Sequence, residues 1–333
     1  MILVTGATGG LGGHVVRALR RLGQPVRALV RRGSTYFWLN DTGCSYFFAD
    51  LRDRASLLRA CSGIRTIVAC SGVDYETRDN DHQKLTVQGH ANLWSAARER
   101  GVFRAVYVSA MGVDRGYPVP WFDGKRRAEL SLAESGLEWT VLRPAPMTRT
   151  FAALAWRGRS GTTVAWGPGT NRVSPISPRD LALMAVIALD LPEVRGRAIE
   201  VGGPTVLTSR EALDRASIAV GGGRVVTMPS SVARVSARLA RSLGRRWEHR
   251  LSQRARWFTD DFIVDPAPLQ RLFGLDLTPY DQAVAEDSAQ IASLADPRAR
   301  DERVVHLKFD ATVYEPGRAP LGDLPSGPLR YDE

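Results

Sequence analysis

Residues 5–12 read Thr5-Gly6-Ala7-Thr8-Gly9-Gly10-Leu11-Gly12, and no other feature restricts the fold of this chain as strongly. The spacing is GxxGxxG. It lies between an apolar run, Ile2–Thr5, and a helical pattern of Leu11, Val15, Val16, Leu19 and Leu22 that Gly23 ends. In that setting each glycine has a physical task. Gly6 permits a tight turn, Gly9 lets the backbone approach a pyrophosphate, and Gly12 lets helix and strand pack closely. The amino terminus of the helix attracts the phosphates. The predicted cofactor contacts here are Gly6, Thr8, Gly9, Gly10, Leu11 and Gly12.

Strand signals recur over Val26–Val30, 46–49, Thr66–Ala69, 105–108, 140–142 and 199–201, separated by helical patterns over 81–100 and 122–135. Ser177-Pro178-Arg179-Asp180 reads as a helix start, with a capping serine, a proline in the first turn and an acid at the third helical position. Repeated β-α units predict an α/β protein: a Rossmann-like, doubly wound parallel sheet with a small C-terminal substrate-binding part. The expected division is 1–203 for the NAD(P)-binding domain and 204–300 for a helical substrate-binding part. Residues 301–333 are expected to form an arm, alternating over 304–314, and a proline- and glycine-rich tail.

The end of the second strand carries the cofactor code. An NAD site would place an acid there for the ribose hydroxyls, but the chain has Leu29-Val30-Arg31-Arg32. Two guanidinium groups match a 2′-phosphate with charge and paired donors, so NADP(H) is expected ahead of NAD(H). Asp50 and Leu51 follow the third strand and can cradle the adenine. Cys70, Ser71 and Gly72 follow the fourth and should face the dinucleotide, with Cys70 a small buried residue, not a nucleophile.

Composition sets limits. Of the 333 residues, 44% are hydrophobic and 24% charged, which fits a soluble globular protein. The longest apolar run, residues 181–189, is far shorter than the ~20 residues of a membrane span. With strand-like residues at the start of the chain and no CxxC among Cys44, Cys61 and Cys70, a cytoplasmic protein with reduced thiols is expected. His14, His82, His90, His249 and His306 lack ligand spacing, so no metal is expected. The net charge is +10, and nine arginines fall between residues 224 and 256. They read as a solvated face spread round helices, with an anionic partner as the alternative; no nucleic-acid partner is expected. Only Lys84, Lys125 and Lys308 are lysines, so a surviving ammonium can mark a role that guanidinium cannot fill.

Taken together, TGATGGLG at the start, ADLRD at 49–53, AARERGVFRAVYVSAMGVD at 96–114, KRRAELSLAESGLEWTVLRPAPM at 125–147 and SPRDLALMAVIAL at 177–189 resemble a known superfamily. It is the atypical short-chain dehydrogenase/reductase superfamily, in its NmrA-like and isoflavone-reductase-like branches, and the likeness runs over about residues 1–295. It implies a Ser, Tyr and Lys catalytic set. Ser109 and Lys125 match the first and last, but the tyrosine position holds Trp121, whose indole cannot act as an acid at neutral pH. The lysine-dependent branch offers Lys125 as the working group, and Tyr117 on the preceding loop is a second phenol to consider. Lys125 and Pro144 are also expected against the cofactor, and Met111, Trp121 and Met147 against a substrate.

Three readings follow. The first is an NADPH-dependent reductase of a small, aromatic or polyketide-like molecule, working as a monomer or homodimer. The second is an NADP(H)-binding sensor or assembly protein without turnover, which the lost tyrosine favours. The third is redox-neutral isomerisation, epimerisation or dehydration.

Overall fold

The inner strands of the main sheet bury both faces, and their residues alternate between two cores to do so. The structure, a computed structural model, describes residues 1–73, 76–77, 80–239 and 245–295. The strands are β1 (Ile2–Thr5), β2 (Val26–Val30), β3 (Ser45–Phe48), β4 (Thr66–Ala69), β5 (Arg104–Val108) and β6 (Glu138–Pro144). After them come β7 (Thr162–Ala165), β8 (Arg172–Val173), β9 (Arg197–Val201), β10 (Leu207–Thr208) and β11 (Arg224–Thr227). Seven pair in parallel in the order β3-β2-β1-β4-β5-β6-β9. This is the doubly wound order expected from the sequence. The chain leaves β3 and crosses to β4 on the other side of β1, which opens a crevice at the carboxyl ends of β1 and β4.

Helices cover both faces. They are α1 (Gly10–Arg21), α2 (Arg54–Ala60), α3 (Gly89–Glu99), α4 (Pro120–Ala133), α5 (Thr148–Gly158) and α6 (Pro178–Ile187). Then come α7 (Ser209–Ala219), α8 (Ser230–Leu239), α9 (Arg245–Trp257), α10 (Pro266–Phe273) and α11 (Tyr280–Ala295). Ile2 and Val4 of β1, Val68 of β4, and Val106 and Val108 of β5 point into the core beneath α1 and α6. Leu3, Ile67, Ala69, Ala105 and Tyr107 point the other way, into the core with α2, α3 and α4. Period-2 alternation between two apolar layers explains why these strands read as unbroken apolar runs.

Some local expectations change. The pattern over 81–100 is not one α-helix, because His82–Gln88 forms a π-helical turn, capped by the Asp81 side chain on Lys84 N, before α3 begins. A side chain at position 89 would meet Leu51 Cβ at 2.9 Å, so Gly89 lets this wide turn lie against the loop after β3. Apolar periodicity does not distinguish i→i+4 from i→i+5 winding over seven residues. Ser177 caps α6 as expected, its hydroxyl accepting from Arg179 N at 3.1 Å. The acid of that motif has a tertiary partner: Asp180 accepts from Thr278 N at 2.7 Å and from Thr278 Oγ1 at 2.9 Å. The helix expected over 232–243 is described as α8 as far as Leu239, and its last residues, 240–243, like the arm and tail at 301–333, lie outside the described residues.

The elements after β6 interleave. α5 packs on α7 and α11, β7 pairs in parallel with β11, and β8 pairs antiparallel with β10. Across the sheet, α4 is tied to β6 by a buried ion pair. Arg143 grips Glu129 through Nε at 3.1 and 3.2 Å and NH2 at 2.7 Å, while its NH1 reaches Asp114 at 2.6 Å. Glu129 is fully buried and one turn from Lys125, so this fork sets how α4 sits on the sheet. Arg143→Met should lower stability by about 3–5 kcal/mol in urea unfolding, because it strands a buried carboxylate. Replacing both partners, as Glu129→Leu with Arg143→Met, should recover most of that loss.

Candidate functional site

A cleft of about 810 Å³ opens along the carboxyl edge of the sheet. Gly6, Thr8, Gly9, Gly10, Leu11 and Gly12 all line it, and their geometry explains the glycines. Gly6 adopts φ +66°, and a Cβ there would lie 2.7 Å from the Cys70 carbonyl carbon and Ser71 N. A Cβ at Gly12 would lie 2.1 Å from the Gly6 carbonyl oxygen. The loop can lie this flat on β4 and α1 only without side chains at these positions. Gly9 N donates to Gly6 O at 2.9 Å and closes the turn.

At one end of the cleft lie Leu29, Arg31, Asp50 and Leu51. The Arg31-Arg32 pair separates here. Both arginines are exposed, but Arg31 lines the cleft and donates to Asn80 Oδ1 at 2.8 Å, whereas Arg32 is not part of the lining. Successive residues past a strand end point apart, so one guanidinium faces the site and the other faces away. Hydrogen bonds from Arg52 hold the Asp50 carboxyl below the usual carboxylate range, with distances of 2.9 Å from Nε and 2.5 Å from NH2.

At the other end the cleft gathers Cys70, Ser71, Gly72, Ser109, Met111, Trp121, Lys125, Pro144 and Met147. Lys125 reaches from α4 to the end of β5, donating to the carbonyls of Val108 and Ser109 at 3.3 Å each. Its ammonium also lies 5.4 Å from the Trp121 ring centroid. The indole in the tyrosine position therefore packs against the lysine. Ser109 is 3% exposed, and its buried hydroxyl has no hydrogen-bond partner among the described residues. A buried hydroxyl in the wall of a cleft, left unpaired by the protein, is suited to a ligand oxygen. Burial pushes the Cys70 thiol up to about 12, which keeps it a neutral wall residue. Tyr117 is absent from the lining. Its ring stacks edge-on with Phe122, its hydroxyl meets Arg115 NH1 at 3.3 Å, and burial raises its phenol.

The cleft also has walls that motif reading missed. Ser34, Thr77 and Asn80 stand near Arg31, and α5 contributes Arg149, Thr150, Ala153, Leu154 and Arg157. Trp257 and Phe262 arrive from the end of α9 and the segment after it. The α5 residues fall at i, i+1, i+4, i+5 and i+8, so one helical face was legible in principle. Nothing in the sequence alone showed that this face turns to the glycine loop.

The profile of the NAD(P)H-binding family matches residues 6–192. Over 226 residues the chain is 33% identical to the (4-alkanoyl-5-oxo-2,5-dihydrofuran-3-yl)methyl phosphate reductase of Streptomyces griseus, covering 66% of this chain and 74% of that protein. It is 30% identical to the NAD(P)H azoreductase of Xenophilus azovorans, with the same coverage, 66% and 74%. Among solved structures, the triphenylmethane reductase of Citrobacter sp. complexed with NADP(H) superposes with a TM-score of 0.65 at 26% identity. That superposition covers 86% of this chain and 99% of that one.

Ser71 is held in the cleft wall by a short relay. Its hydroxyl meets Thr5 Oγ1 at 2.8 Å and His90 Nε2 at 3.3 Å, while His90 Nδ1 lies 2.7 Å from the Thr86 carbonyl. The carbonyl fixes the proton on Nδ1, leaving Nε2 to accept from Ser71. Burial, opposed by the bond to Thr86 and aided by the Lys125 charge, takes this imidazole down to about 4. The unfolded chain then binds more protons than the native one between about pH 6.5 and 4, so His90 stabilises the fold above that window and loses its contribution as pH falls through it. The stability difference between wild type and His90→Gln should shrink by on the order of 3 kcal/mol from pH 7 to pH 4, read by urea unfolding. A difference independent of pH would show that His90 takes up its proton at the same pH in the native and unfolded chains.

Proposed function

The chain belongs to the NAD(P)H-binding family, among the atypical short-chain dehydrogenase/reductase, NmrA-like members, and on that premise we propose that it is an NADPH-dependent reductase of a small conjugated acceptor. One observation carries this reading: the glycine loop, Arg31, Ser109 and Lys125 line a single cleft. The residues fit a dinucleotide. The flat surface at Gly6 and Gly12, where a Cβ would collide, would take the pyrophosphate, and the unpaired Ser109 hydroxyl would donate to an oxygen at the far end. Arg31, with Ser34 beside it, would hold the 2′-phosphate, and Asp50 and Leu51 would hold the adenine. Bound there, the reduced cofactor supplies hydride.

The chain's own residues then define the acceptor. Trp121 offers no acidic proton, so protonation of the product does not run through the usual phenol. Acceptors that spread negative charge by conjugation need less help: a quinone, an azo group or an unsaturated lactone. For these, a hydrogen bond from Ser109 and the positive charge of Lys125 would stabilise the developing anion, and the Lys125 ammonium would then yield its proton to that anion. Met111, Trp121, Met147, Leu154, Trp257 and Phe262 form an apolar, largely aromatic wall beside those two groups, suited to a flat molecule. The azoreductase and furanone phosphate reductase relatives act on acceptors of this kind by name. Tyr117, with its hydroxyl turned to Arg115, is given no step.

Two measurements test this. NADPH should bind more tightly than NADH, and Arg31→Ala should remove about 1–3 kcal/mol of that preference in equilibrium titrations. Equal affinity of the wild type for the two cofactors would overturn the assignment. Against a panel of quinones, azo dyes and enones, Lys125→Met should bind NADPH modestly more weakly and lose at least ~100-fold in turnover. Lys125→Arg should not rescue it, because a guanidinium keeps its charge but cannot yield its proton. Full turnover in Lys125→Met would discard the lysine mechanism. A wild type that binds NADPH but reduces nothing in the panel would favour the non-catalytic reading that Trp121 suggests.

A further inference from the structure

The cation nearest the glycine loop comes from outside the loop and its strands. Arg149 is the second residue of α5, and a Cβ built on Gly10 would lie 2.6 Å from its Nε and 2.8 Å from its Cδ. Gly10 is the first residue of α1, so this guanidinium lies flush against the amino terminus of that helix, where the peptide dipoles already place positive charge. Arg149 lines the same cleft as the loop. Of its five N–H donors it directs one to a side chain, NH1 to Gln290 Oε1 of α11 at 2.5 Å. Among the described residues no carboxylate forms an ion pair with it. The nearest acid in its field, Asp287, is buried, accepts from Thr148 Oγ1 at 2.5 Å, and is pushed up to about 7 by burial, so it is only about half ionised near neutrality.

The surroundings are positive on the other side as well. His14 of α1 is held down to about 3 by burial and then by the charges of Arg149, Arg17, Arg179 and Arg21. A half-buried guanidinium with no carboxylate, set beside the positive end of a helix, is unfavourable by itself. Its arrangement becomes favourable when an anion bridges the helix terminus and the cation.

We propose that Arg149 is the second half of the pyrophosphate site, donating to the dinucleotide phosphates from the side opposite the glycine loop, and that Gln290 is the positioning residue that aims it. This assignment rests on the dinucleotide reading of the cleft. It adds that α5 and α11, which lie outside the loop and its strands, take part in holding the cofactor.

The test uses three ligands that differ in the group at issue. Full-length wild type, Arg149→Met, Arg149→Lys, Gln290→Leu and Arg31→Ala are titrated with NADPH, with 2′-phospho-ADP-ribose, and with adenosine 2′-monophosphate, which has neither phosphate of the pyrophosphate. Arg149→Met should weaken the first two about 10- to 100-fold and leave the monophosphate within about twofold. Arg149→Lys should recover part of the loss, and Gln290→Leu should show a smaller loss with the same ligand pattern. Arg31→Ala should weaken all three. Unchanged NADPH affinity in Arg149→Met, or an equal loss for all three ligands in both Arg149 variants, overturns the proposal while leaving the NADPH reading standing. A wild type that binds none of the three overturns both.

Discussion

The Gly6 carbonyl oxygen and the α-carbon of Gly12 are so close that a single methyl group between them would sit 2.1 Å from that oxygen. This backbone contact is the constraint on which the rest of the molecule depends. It sets the first turn of α1 directly over the end of β1 and leaves Gly6 tight against Cys70 and Ser71 at the end of β4. The crevice at the switch point is thereby floored with bare backbone. Polar side chains are placed around that floor by neighbouring strands: Arg31 by β2, Ser71 by β4 and Ser109 by β5. The His90–Ser71–Thr5 relay ties the tips of β1 and β4 together on the side away from α1.

A second tie works at β6. Arg143, inside the strand, clamps Glu129 and so sets the helix that carries Lys125, while the next residue, Pro144, lines the cleft. The chain then continues into α5, whose face closes the cleft from above. One strand therefore governs both ends of the site, the lysine through an ion pair and Arg149 through chain continuity. The clamp is buried, so its net effect on stability is modest although breaking one half is costly. Its consequence is geometric: the ammonium is placed under the carbonyls of residues 108 and 109 and beside the Trp121 ring.

Closure of the cleft depends on segments far apart in sequence. Trp257 and Phe262 follow the arginine-rich stretch, and Phe262 is anchored by its backbone to β8, with Phe262 N donating to Arg172 O at 2.8 Å. Tyr280 donates its hydroxyl to the Ala212 carbonyl at 2.5 Å, joining α11 to α7. Through these contacts the apolar wall is built from at least four separate stretches, which is why no short motif encodes it.

By itself the sequence determined the sheet and the glycine loop, because these follow from local rules, whereas Ser109, Lys125 and Trp121 were singled out by the resemblance to the superfamily's catalytic set. Strand alternation, glycine at a forced close approach, and a residue's offset from a strand end are all readable within ten or twenty positions. Even there, Arg31 and Arg32 looked alike, and only the backbone direction past β2 brought one into the cleft lining and left the other outside it. The π-helical turn at His82–Gln88 was hidden because apolar spacing over seven residues fits two windings. The tertiary structure alone decided that Arg149 meets Gly10 and Gln290, and that Trp257 and Phe262 reach the cleft. These contacts span more than a hundred residues and depend on how α5, α7 and α11 pack. That packing is set by the summed fit of many apolar surfaces, which no local pattern in the chain records.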